Sequence, residues 1–313
     1  MEFLRNWTLP TAMVCGALAY FALDSMPLAA GSRRAILRFT EVLQPTLLFC
    51  MLFIAFCKVK PSDLRPRMWH LWLLLLQVGV FAGGCFILWR FPEAPMRVLI
   101  ESFTLVVICP TATACSVVTQ KLWGDAAATI SYTILINAVI SIVLPLMLPL
   151  AHPQGADTFL SEFAAILGRV FPMLIAPLLL AWTVRYLLPG VHKMLLQARD
   201  LAFYMWAVGL AVAIAVTCRA LMCSRESLLN VALIALVTLL ACILQFACGK
   251  KIGSLWGVRI EGGQALGQKN TVFAIWLAYN FLSPVAATAG GFYTIWHNIV
   301  NSWQLYRQRH KNL

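Results

Sequence analysis

The chain has 313 residues, of which 61% are hydrophobic and only 12% charged, and its mean hydropathy is +0.81. Charged residues make up about a quarter of an ordinary soluble domain, so this composition excludes a water-soluble globular protein and indicates an all-α polytopic protein embedded in a lipid bilayer. The formal charge of +12 is not a nucleic-acid signal, because Lys and Arg fall in short loops between apolar runs, where they orient helices and meet anionic headgroups.

The N-terminal M-E-F-L-R-N-W-T-L-P leads into an apolar run from Trp7 to Leu28. That run is long for the core of a signal peptide and reads as the first span. Apolar runs of about 20 residues, the length that crosses a bilayer as a helix, recur from there on. Spans one to five are expected near 7–28, 36–57, 69–89, 98–120 and 126–150, and spans six to ten near 163–188, 200–221, 227–248, 260–283 and 287–306. The loops are short and leave no room for a soluble domain. The least membranous connection, A-H-P-Q-G-A-D-T-F-L-S-E from Ala151 to Glu162, lies at the middle of the chain. It divides the chain into 1–152 and 160–313, with five spans in each. Two repeats with an odd number of spans must be inverted relative to each other. Lys and Arg are more frequent in the loops around 58–67, 185–199 and 250–259 and after span ten than in the opposite loops. That bias places both termini in the cytoplasm and the protein in the inner (plasma) membrane.

The ten Cys are scattered, with no C-x-x-C pair and no Cys/His cluster, so they read as small packing residues rather than a metal site or a disulfide framework. The five His form no metalloprotease spacing and no Asp pair lies within a span, so an integral-membrane enzyme is not expected.

Two spans are interrupted. Span four reads L-V-V-I-C-P-T-A-T-A-C-S-V-V-T-Q-K-L-W-G-D. Pro110 removes a backbone donor and disfavours helix at Cys109. The small and hydroxyl residues Thr111 to Ser116 follow. The freed carbonyls and hydroxyls are the neutral oxygens that a hard monovalent cation prefers; a simple proline kink packed against a neighbouring helix is the alternative. Span nine reads I-E-G-G-Q-A-L-G-Q-K-N-T-V-F-A-I-W-L-A from Ile260 to Ala278. Gly262, Gly263 and Gly267 loosen its helix, and Gln264, Gln268, Lys269 and Asn270 are polar. Glu261 and Gln264 fit either an ion site or a solvated membrane interface. Lys269 and Asn270 open a mostly apolar run, and an ionisable residue within the membrane indicates function. Interruptions at corresponding places in two halves point to a transporter site.

At these residues the sequence resembles the bile acid:sodium symporter family. C-P-T-A-T-A-C-S-V-V-T-Q-K-L-W-G-D-A-A-A-T-I-S-Y-T is similar to the family's C-P-G-G-x-A-S-N-V-x-T-x-L-A-x-G pattern, G-Q-K-N-T-V-F-A-I-W-L-A to its E-x-G-x-Q-N-x-x-L-A segment, and Trp296-His297-Asn298 to a W-H-N that contacts small organic anions in some members. The resemblance implies ten transmembrane helices as two inverted repeats of five, with helices four and nine broken and crossing, and a core domain that rocks against a panel domain. It implies symport of a small organic anion such as a bile-acid-like sterol or a keto acid, with sodium ions and no other cofactor. The implied substrate site comprises Thr111, Ala112 and Thr113, where Thr111 and Ala112 replace two family glycines, together with Asn270, His297 and Asn298. The implied sodium ligands are Cys115, Ser116, Thr129, Thr133, Glu261, Gln264, Gln268 and Gln77.

Two departures stand out. Aligned without gaps from Asn270, Ala265 takes the place of the family's sodium-binding Glu and Lys269 the place of its Gln, while Glu261 comes four residues early. A Lys ammonium has three donors and no acceptor. It cannot ligate sodium, but it can stand in for the ion as a tethered cation. A sodium-independent or proton-coupled carrier, and a non-transporting sensor or channel, are the alternative expectations.

Overall fold

The computed structural model describes residues 2–27, 29–94, 96–151, 158–197, 201–223 and 227–310. These residues form thirteen α-helices: α1 (Glu2–Ser25), α2 (Ala30–Cys57), α3 (Met68–Arg90), α4 (Arg97–Ile108), α5 (Cys115–Lys121), α6 (Ala126–Ala151), α7 (Phe159–Leu187), α8 (Pro189–Gln197), α9 (Leu201–Cys223), α10 (Leu228–Ser254), α11 (Arg259–Gly267), α12 (Thr271–Phe281) and α13 (Ala287–His310). Short 3-10 turns at Pro61–Asp63 and Pro284–Ala286 complete the described structure.

Helices α2, α3, α6, α7 and α10 are each long and apolar enough to cross a membrane. The chain is therefore a multi-pass helical membrane protein. Large apolar side chains such as Leu75, Phe86, Leu228 and Leu240 face outward, as lipid contact requires. Several long helices carry internal prolines, Pro45 in α2, Pro145 and Pro149 in α6, and Pro172 and Pro177 in α7, and continue through them. The span expected near 98–120 consists of α4 and α5, and the one near 260–283 of α11 and α12.

Of these four short helices, α11 and α12 lie at the centre. Every residue from Glu261 to Gly267 is buried, as is every residue from Thr271 to Ala278. Helix α11 lies against α10 with almost no side chain between the backbones. A Cβ added at Gly249 would overlap the Gly262 carbonyl oxygen, and one at Gly262 would overlap that of Gly249. Small residues at helix contacts allow this approach in membranes, where dispersion drives packing. Helix α8 was not among the expected elements. Pro189 opens it at its first position, where a missing N–H costs nothing. His192 of α8 sits 2.8 Å from the Cys57 carbonyl oxygen and anchors it to the end of α2.

Candidate functional site

The site begins with the way each broken helix ends. At Cys109 the backbone turns extended (φ −48, ψ 136), as the residue before a proline prefers. A helix end leaves its last carbonyls without intrahelical donors. Here side chains from other helices supply the donors. Lys269 Nζ donates to the Val107 oxygen at 3.0 Å. Gln77 Nε2 of α3 donates to both Ile108 and Cys109, at 3.0 and 2.9 Å. Gln245 Nε2 of α10 reaches Val106 at 3.5 Å.

Helix α11 ends in the same manner. The chain is extended at Gln268 (φ −92, ψ 99) and restarts as α12 with Asn270 as its N-cap, the side-chain oxygen accepting from the Phe273 N–H at 3.2 Å. Thr111 Oγ1 donates to the Ala265 oxygen at 2.6 Å, and Tyr293 Oη of α13 to the Gly267 oxygen at 2.8 Å.

The two breaks meet. Thr111 and Lys269 form an antiparallel bridge. The Ala112 N–H donates to Gln268 at 2.9 Å and the Asn270 N–H to Pro110 at 2.8 Å. Each interruption therefore satisfies part of the other's exposed backbone, which is the condition for non-helical chain at membrane depth. A Gln and a Tyr support each break: Tyr132 Oη of α6 donates to Gln77 Oε1 at 3.0 Å, and Gln245 Nε2 donates to Tyr293 Oη at 3.0 Å.

A cavity of about 20 Å³ adjoins the crossing, lined by Ala112 and Thr113 of the first break, Gln268, Lys269 and Asn270 of the second, Thr294 and His297 of α13, and an apolar wall from α2. It has room for roughly one water molecule, so this conformation is closed to any organic ligand. Lys269 is 1% exposed, and the Cys109 and Cys115 thiols lie within electrostatic reach of it. The cavity is therefore lined by Lys269 together with residues bearing amide, hydroxyl and imidazole groups.

The remaining expected residues fall elsewhere. Thr111 is fully buried, with its hydroxyl in the bridge rather than at the cavity. Asn298 donates its amide to the Thr294 oxygen at 2.8 Å within its own helix. Cys115 lies beside Thr119 at 4.0 Å and in contact with Thr129. Ser116, Thr129 and Thr133 donate their hydroxyls to the carbonyls of Thr113, Ala126 and Thr129. Gln264 turns to Asn301 at 3.0 Å. Gln77 serves the end of α4.

The Glu261 side chain reaches from α11 to the turn between α5 and α6, where its Oε1 accepts from the Asp125 N–H at 2.6 Å. Asp125 in turn caps α6, accepting from Ala128 N–H at 3.1 Å, and pairs with Arg67 at 2.8 Å. Partial burial pushes the Asp125 carboxyl up, but the Ala128 N–H bond and the Arg67 guanidinium outweigh it and hold the group below the usual carboxylate range.

Sequence reasoning passed over Tyr132, Gln245, Tyr293 and Thr294. The tyrosines sit in apolar helices and read as core; only the pairing of each with a Gln gives them a role. Gln44, whose Nε2 reaches the Val272 oxygen at 3.3 Å, was detectable as an amide inside an apolar run. No protein-family model and no curated protein matches the chain.

Proposed function

We propose that this protein is a secondary transporter that carries a small organic anion across the inner membrane, as a divergent relative of the bile acid:sodium symporters. The observation that carries the reading is the bridge between the two helix breaks, with a buried lysine beside the cavity it borders. Broken helices that meet inside an apolar bundle are how transporters build a polar site at membrane depth. A carboxylate suits the cavity: Lys269 supplies charge, Asn270, His297, Thr113 and Thr294 are polar neighbours, and the first turn of α12 presents the positive end of its dipole.

In this reading α1–α6 and α7–α13 are the two inverted repeats of five spans, with α4–α5 and α11–α12 as the crossing pair. The matching Gln77–Tyr132 and Gln245–Tyr293 pairs support it, because each joins the third span of a half to the fifth beside a break. The closed cavity corresponds to an occluded state, which must open toward one side at a time.

Sodium is the coupling ion in the family. Here the Glu261 carboxylate already accepts from the Asp125 N–H, and Cys115 lies within electrostatic reach of Lys269. Lys269 therefore serves as a built-in cation in place of one sodium ion, and transport proceeds without strict sodium dependence. A thermal-shift screen of small carboxylates, with sodium or with choline, tests the function. A ligand present at about 100 times its dissociation constant adds about 2.7 kcal/mol of stability. Stabilisation by a carboxylate in both salts is expected; no stabilisation by any organic anion would overturn the reading.

A further inference from the structure

On the side of the cavity nearest the C-terminus, a polar stripe of α13 comes within side-chain reach of α11, through the Gln264–Asn301 and Tyr293–Gly267 bonds. His297, Asn301 and Gln304 lie at i, i+4 and i+7 on one face of α13, while Gln264 lies on α11 and Gln268 in the extended stretch that follows it. All but Gln304, which is partly buried, are at most 4% exposed. Each carries a buried polar atom with no hydrogen-bond partner among the described residues: Gln268 Oε1, His297 Nδ1, Gln264 Oε1, Asn301 Nδ2 and Gln304 Nε2. The bond from Gln264 Nε2 to Asn301 Oδ1 uses one group of each amide and leaves the other over, so rotating either amide leaves the same deficit.

One such atom could be tolerated. Five in a row through a membrane interior have no stable dry state, because each unpartnered group costs about 1–3 kcal/mol, and buried amides are satisfied by protein or by water. The row begins at the cavity, where Gln268 and His297 both line the wall. It ends near three basic residues. The Lys250 stem lies against Gly263 of α11, and its ammonium is within electrostatic reach of Arg259 and Arg307. Arg259 and Arg307 are exposed.

We propose that the α11–α13 seam is a hydrated access route, along which a small anion passes between the cavity and the face bearing Lys250, Arg259 and Arg307. Water satisfies the five orphaned groups, and the basic mouth raises the local concentration of anions over cations. The anionic cargo rests on the transport reading above; the hydration does not.

The test uses Asn301→Cys and Ile299→Cys in the full-length protein, reconstituted in liposomes. Ile299 is two residues away and 55% exposed on the outer face of α13. Each variant is treated with an anionic sulfonate and with a cationic trimethylammonium methanethiosulfonate reagent. Modification is read by peptide mass spectrometry, which separates the new thiol from the ten native cysteines. Modification at position 301 at least about tenfold faster than at 299 is expected, because only a water-exposed thiolate reacts. Equal slow rates at the two positions would overturn the route. After normalisation to a free thiol in solution, the sulfonate should react faster at position 301; a cation preference, or none, would overturn anion passage while leaving carboxylate binding at the cavity to its own thermal-shift test. Should Asn301→Cys not fold, Gln304→Cys reads the outer part of the same seam with the same outcomes.

Discussion

Lys269 Nζ lies 3.0 Å from the carbonyl oxygen of Val107, so a side chain of one broken helix closes the end of the other. The ammonium meets the negative end of α4 without a carboxylate partner among its hydrogen bonds. Two effects oppose each other when the charge is removed. Lys269→Met leaves the Val107 oxygen without its donor, at a cost of about 1–3 kcal/mol, and relieves the desolvation of a buried charge, which is of the same order or larger. The variant is therefore expected to keep its melting temperature within a few degrees while losing the stabilisation that a carboxylate gives the wild type. Thermal unfolding with and without the carboxylate checks this; undiminished ligand stabilisation would remove Lys269 from the site.

The two Tyr–Gln pairs are not equally exposed to loss. Tyr293→Phe uncovers the Gly267 oxygen and removes the closest partner of Gln245. Tyr132→Phe uncovers only Gln77 Oε1. Each uncovered buried group costs about 1–3 kcal/mol. Tyr293→Phe should therefore lower the melting temperature more than Tyr132→Phe does, and the reverse order in detergent melts would count against the assigned bonds.

The α10–α11 contact depends on the missing side chains of Gly249 and Gly262. Gly249→Ala forces a methyl into the facing carbonyl, and overpacking of this kind costs about 1–3 kcal/mol. Gly168→Ala in α7 meets nothing within 4 Å and should be neutral or stabilising by up to about 1 kcal/mol, since Ala is the better helix former. Melting curves of the two variants separate a close-approach glycine from an incidental one.

Asp125 caps α6 while Glu261 holds its N–H. Asp125→Ala should cost about 0.5–2 kcal/mol, and Asp125→Asn less, because Asn caps nearly as well. The Asp125 pKa is depressed in the folded protein, so its contribution is complete above the ordinary value of 3.8 and fades as the pH falls below that value. The melting temperatures of wild type and Asp125→Asn should accordingly converge in acid; a gap that widens as pH falls would contradict the pairing with Arg67.

The broken helices were legible because Pro110 and the run Gln268–Asn270 violate an apolar pattern, and such violations have few physical solutions. The partner of each freed carbonyl was not legible. Gln77 read as a sodium ligand from its position in the third span, yet its amide serves the end of α4, because spacing along one helix does not say which neighbour's carbonyl lies opposite. For Glu261, sequence comparison left open whether its carboxylate belongs to the break; in the structure it sits in the first turn of α11 and reaches the Asp125 N–H instead. The α11–α13 seam was invisible for the same reason: nothing in the spacing of α13 says that Gln264 lies against Asn301.

The central claim is that a lysine at the crossing takes the place of a coupling ion in anion transport. Uptake of a stabilising carboxylate into proteoliposomes, with all sodium replaced by choline, measures it most directly. The account predicts uptake by the wild type in choline at a rate close to that in sodium, abolished in Asn270→Ala. A strict requirement for sodium with Lys269 intact would contradict it.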